Sequence, residues 1–158
     1  MGRLTIAAAA ATAALCLSAA ADIGAQGKGA AALLDPNTVT EKELATVPHI
    51  TPPIAKAIIA GRPYATVVAL DKVLASHKLS ADQLRDVHGA LFVPLDLNSA
   101  SDEEILAIPG IGKRMLNEFK EYRPYKSMDQ FRREIGKYID RDKREAELAR
   151  LEKYVRIK

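Results

Sequence analysis

Cysteine is nearly absent from this chain of 158 residues. The single one, Cys16, lies in an apolar run near the start, so a chain relieved of that run has no disulfide and no thiol chemistry. No later stretch is apolar for long enough to span a bilayer. The three histidines, His49, His77 and His88, share no ligand spacing, so no metal is expected. No nucleophile stands in pattern with a base, and no acidic metal cluster occurs. Neither an enzyme nor a cofactor nor a small-molecule substrate is expected. Strand alternation of useful length is missing, which points to an all-α fold. Charge of one sign is lacking too. From Leu34 to Pro94 six Lys/Arg balance six Asp/Glu, and from Leu95 to Lys158 fifteen face thirteen. A net charge this small does not mark a polyanion binder. Any positive field must come from local clusters: Lys113, Arg114, Lys120, Arg123 and Lys126, or Arg132 and Arg133.

What is present begins with a leader. Arg3 precedes "LTIAAAAATAALCLSAAADIGAQ", a positive start, an apolar centre and a small-residue exit. That is the pattern of a secretory signal peptide, with cleavage fitting after Ala21 or Ala25. An uncut anchor is the alternative, although the run is mostly alanine and only just long enough to cross a bilayer. Leu15 before Cys16 argues against a lipoprotein signal. The expected location is periplasmic or otherwise extracytoplasmic.

Beyond the leader the chain repeats itself. With a shift of sixty-one positions "LDPNTVTEKELATVPHITPPIAKAIIAGRPY" lies over "LDLNSASDEEILAIPGIGKRMLNEFKEYRPY" without a gap. Leu34, Asp35, Asn37, Pro48, Ile50, Arg62, Pro63 and Tyr64 recur as Leu95, Asp96, Asn98, Pro109, Ile111, Arg123, Pro124 and Tyr125. After a three-residue insertion, "LRDVHGALFV" from Leu84 lies over "LARLEKYVRI" from Leu148. A repeated frame means a repeated fold. The expected layout is a signal peptide over 1–25, a flexible arm over 26–33, a degenerate unit over 34–94 and an intact unit over 95–158.

Each unit reads as about four short helices. Thr40-x-x-Glu43 and Ser101-x-x-Glu104 are capping boxes that open a first helix. Pro48 and Pro109 end it. A second helix is expected over 52–61 and 113–122, with Pro52 or Pro53 suited to its first turn. A third follows Thr66 and Ser127, the latter with Gln130 as box partner. Ser80-x-x-Gln83 opens a fourth, and Asp140 is expected to cap its counterpart over 141–154. Asp35/Asp96 and Asn37/Asn98 fit a local turn. Arg-Pro-Tyr, present in both units, suits packing and helix termination. "RDKREAELARLEK" reads as a solvated helix face with i,i+4 charge pairs.

The two units differ in the turn between the first two helices. In the second unit Pro109-Gly110-Ile111-Gly112 makes a tight αα-hairpin, in which the glycines permit positive φ and close backbone approach. Ile111 can plug the helix pair. Gly112 then stands at a helix start, where amides lack partners and the dipole favours an anion. Lys113 and Arg114 in the first turn oppose that dipole, and make sense if a negative group sits against them. In the first unit His49 and Thr51 replace the glycines, and Pro52 and Pro53 replace the cations.

These residues carry a resemblance. Leu97 to Phe131, and in degenerate form Leu34 to Leu70, resemble the helix-hairpin-helix module of the ComEA-type competence DNA receptors. The resemblance implies tandem helix-hairpin-helix units and non-sequence-specific DNA binding outside the inner membrane. Gly110, Ile111 and Gly112 would set their amides on a backbone phosphate, with Lys113 and Arg114 alongside and Arg123 as a further contact. The family's usual second hairpin, after the third helix, has no Gly-x-Gly here. Proline has no amide to donate, so the first unit should have lost phosphate capture. A secreted photosystem II subunit of the PsbU kind also resembles this fold and binds protein. The expected partner is DNA, bound weakly through its phosphates. The alternative is an accessory subunit binding a protein partner in an envelope or photosynthetic complex.

Overall fold

The signal peptide and most of the arm lie outside residues 32–158, which the computed structural model describes. Four helices build each repeat, and the fold is all-α. The first unit runs α1 (Glu41–Leu44), α2 (Pro52–Ala60), α3 (Val67–Ser76) and α4 (Ala81–His88). The second runs β1 (Leu95–Asp96), α5 (Asp102–Leu106), α6 (Lys113–Glu121), α7 (Met128–Ile135), α8 (Arg144–Leu151) and β2 (Val155–Arg156).

Local chemistry accounts for the helix starts. Thr40 with Glu43, Ser80 with Gln83 and Ser101 with Glu104 each form a reciprocal capping box. Thr66 and Ser127 cap α3 and α7 by accepting from Ala69 and Gln130 amides. The Gln130 side chain answers the Lys126 amide rather than Ser127, so that box is displaced by one residue. Asp140 does not cap the last helix. A 3-10 turn over Arg141–Lys143 intervenes, and α8 begins at Arg144 and ends at Leu151, shorter than the charge pattern suggested.

One feature of the repeat is too short to show as alternation. Leu95 and Asp96 pair in parallel with Val155 and Arg156. The first unit has the matching contact, a single parallel bridge between Leu34 and Leu91. Each unit thus closes by bringing its last residues beside its first. Leu91 and Val155 are the residues that the three-residue insertion aligns. Leu33, assigned to the arm, is half-buried against the core.

The Asp-Asn frame does more than turn locally. Asp35 and Asp96 accept from the amides of Asn37 and Asn98, as expected. Each asparagine then clamps the tyrosine of Arg-Pro-Tyr. Asn37 Oδ1 accepts from Tyr64 N at 2.7 Å and its Nδ2 donates to Tyr64 O at 3.0 Å; Asn98 repeats both bonds with Tyr125 at the same distances. The Arg62–Pro63 and Arg123–Pro124 peptides are cis. Arg62 donates to the carbonyls of Pro36 and Val39, and Arg123 to Ala100 O at 2.8 Å.

Apolar faces meet inside this frame. Ile58, Val67, Leu70 and Leu74 are fully buried in the first unit, as are Ile105, Phe119, Phe131 and Ile135 in the second. Each such side chain contributes roughly 1.5–3 kcal/mol by leaving water. The units join through α3 against α5 and through Phe92, whose ring meets Tyr154 edge-on at 4.9 Å. Among the described residues no helix is long and apolar enough to cross a membrane.

Candidate nucleic-acid interface

α5 and α6 form the second-unit hairpin, strapped across its base by Lys120 Nζ to Asp102 Oδ1 at 2.7 Å. Ile108 and Leu116 are buried beside the turn, and Ile111 packs half-buried against the core. The turn is closed by Ile111 N–H donating to Ile108 O at 3.1 Å.

The two glycines meet different demands. Gly110 has φ +83°, in the left-handed region where an L side chain is strained. Gly112 is the N-cap of α6 with φ −109° and ψ 177°, an extended conformation open to any residue. Nothing lies within 4 Å of where a Cβ on Gly112 would stand. The backbone therefore favours a glycine at the first position and has no such preference at the second. The bare backbone at Gly112 leaves room for an outside group to approach.

Around that opening the chemistry suits an anion. No side chain caps α6, and no acidic residue lies in its first turn. Among the described residues, no protein acceptor takes the amides of Gly112, Lys113, Arg114 or Met115. Lys113 and Arg114 are exposed, and neither has a carboxylate within ion-pairing distance among the described residues. Of the other expected cations, Lys126 is exposed and has no ion pair among the described residues, and the rest are held within the fold. Lys120 holds Asp102, Arg132 holds Glu145 and Glu152, and Arg133 holds Glu134. Arg123, a predicted phosphate contact, is turned to Ala100 O and has its Nε buried without a partner. The structure thus groups Gly110, Ile111, Gly112, Lys113 and Arg114 and sets Arg123 into the packing frame.

Comparison with family models, curated proteins and solved structures gives no match. The two halves of the chain therefore serve as each other's reference. In the first unit His49 occupies the Gly110 position and keeps its backbone, with φ +63°. Thr51 occupies the Gly112 position with φ −87° and ψ 162°. The turn has kept its shape while losing its chemistry: Pro52 and Pro53 fill the first two helical positions, with no amide and no charge.

Reading the charged C-terminal helix as a solvated face misses Arg150. Its NH1 donates to Pro109 O at 2.8 Å, and its Nε and NH2 hold both oxygens of Glu147 at 2.9 and 2.6 Å. Hydrogen bonds from Arg150 hold the Glu147 carboxyl below its usual range, and the same bonds push the guanidinium up. The spacing here is i,i+3 rather than i,i+4. A second missed pairing joins neighbouring helices in both units. Asp71 Oδ1 meets the buried His88 at 2.7 Å, and at the aligned positions Arg132 meets Glu152 at 2.8 Å. Acid and base have changed sides, a signal visible in the aligned repeats. His49 meets Asp86 at 2.9 Å, so two of the three histidines are held by aspartates.

Proposed function

We propose that this is an exported protein that binds DNA without sequence preference, setting a backbone phosphate against the N-terminus of α6. The observation that carries this reading is Gly112: a residue without steric need to be glycine, at an uncapped helix start, beside two exposed cations without partners. Amides at such an end point outward and favour negative charge. The resemblance to the ComEA-type receptors supports the same ligand and an extracytoplasmic location. Phosphate contacts of this kind carry no base information, so binding is sequence-independent. One hairpin reaches one or two phosphates, which gives dissociation constants of roughly 10⁻⁴ to 10⁻⁶ M near physiological salt.

Fluorescence anisotropy of the mature chain with random duplex DNA, at low and moderate salt, tests the reading. Weak binding that falls as salt rises is expected. Salt-independent binding, strong preference for one duplex, or no binding at low salt contradicts it. The first unit favours a second reading, a protein-interaction module, because its hairpin keeps its shape without phosphate chemistry. Co-purification of a stable partner from the native envelope, with no DNA retained, would establish that reading in place of the first.

A further inference from the structure

The two hairpins also differ at the place where the fourth helix of each unit meets the turn. Asp86 on α4 and Arg150 on α8 are aligned by the repeat. Asp86 holds His49, the residue with positive φ, through a carboxylate that is 62% exposed. Arg150 holds the carbonyl of Pro109, and its NH2 lies 3.5 Å from where a Cβ on Gly110 would stand. In both units one charged side chain from the last helix fastens the hairpin turn. In the first unit it brings a negative charge beside the turn, and in the second a positive one.

We infer that Arg150 is the positioning residue of the second-unit anion site. The inference rests on the phosphate reading of that hairpin. Arg150 acts through the backbone, since its charge is already met by the two bonds it donates to Glu147 and its guanidinium carbon lies 5.9 Å from the centre of the Tyr154 ring. By engaging Pro109 O it fixes the peptide that enters Gly110 and turns that carbonyl towards α8. A carbonyl oxygen left loose at this turn could swing towards the site and repel a phosphate. The opposite residue at the aligned position, Asp86, places an exposed carboxylate beside the first-unit turn. That compounds the loss of amides at Pro52 and Pro53.

The test uses the whole mature chain and compares Arg150→Ala, Arg150→Lys and, as a control, Glu145→Gln. Glu145 ties α8 to Arg132 on α7 and is remote from the turn in its contacts. Arg150→Ala should bind random duplex about five- to tenfold more weakly at fixed salt, the scale of one lost hydrogen bond. The slope of log affinity against log salt should not change, because no phosphate contact is removed. Arg150→Lys, which can still donate to Pro109 O, should recover most of the affinity, and Glu145→Gln should match wild type. In the free protein, Arg150→Ala should speed amide exchange at Ile111, whose N–H closes the turn.

The inference is overturned if Arg150→Ala binds as tightly as wild type, or if Glu145→Gln loses as much. A slope lower by about one unit also overturns it, since Arg150 would then be a direct phosphate contact. A wild-type protein that ignores DNA defeats the functional reading instead. The latch is then judged on exchange alone, where unchanged protection at Ile111 overturns it.

Discussion

At Gly110 the backbone enters the left-handed region, and an added methyl group meets strain of roughly 1–2 kcal/mol whatever space surrounds it. At Gly112 the backbone is extended and the space is open. Substituting the two separates what the turn requires from what a ligand requires. Gly110→Ala should lower stability in urea by about that 1–2 kcal/mol. Gly112→Thr, which copies the first unit, should stay within about 1 kcal/mol of wild type, since threonine serves well at an N-cap. It should nevertheless weaken DNA binding, because its side chain fills the approach to the α6 amides. Equal binding by Gly112→Thr and wild type would mean that the open backbone serves no ligand. The sequence shows both glycines as one motif. It does not separate them, because the motif looks the same whether a glycine is favoured for φ or for access; the backbone angles of Gly110 and Gly112 make the distinction.

Between elements, legibility depended on chain separation. Capping boxes span three residues, so Thr40 with Glu43, Ser80 with Gln83 and Ser101 with Glu104 could be read directly and the helix starts follow from them. The Asn37 and Asn98 clamps reach across 27 residues to a tyrosine backbone. Local pattern offers no sign of that partner, so only the short Asp-Asn turn was visible. Asp140 stands away from α8 for a related reason: the chain first makes a 3-10 turn, and a capping residue type carries no information about which helix follows. The clamp has a measurable weight. Asn98→Ala removes two bonds to Tyr125 and leaves its amide and carbonyl without them, at a cost of about 2–3 kcal/mol. Asn37→Ala should cost about as much in the first unit. Urea denaturation checks both, and a loss below 0.5 kcal/mol at either site, the usual range for an unremarkable surface change, would remove the clamp from the account.

For the whole molecule, the duplication was legible from identity alone, and so was the three-residue offset that brings Leu91 and Val155 into register. How the copies join was not, since packing between units leaves no period in the sequence. Phe92 sits at that joint, fully buried between His88 and Tyr154. Phe92→Ala should cost about 3–5 kcal/mol by opening a cavity there, read as a lower urea midpoint. Retention of the wild-type midpoint would show that the units fold without the joint. The joined pair presents one hairpin with phosphate chemistry and one without, and this asymmetry is the central claim. It is tested most directly by the salt dependence of binding to random duplex DNA for wild type and for Lys113→Ala/Arg114→Ala, with helical circular dichroism unchanged. The double variant should bind more weakly, with a log–log salt slope lower by at most about two units, the expectation if each cation neutralises one phosphate. A double variant that binds as tightly as wild type, with the same slope, would contradict the account.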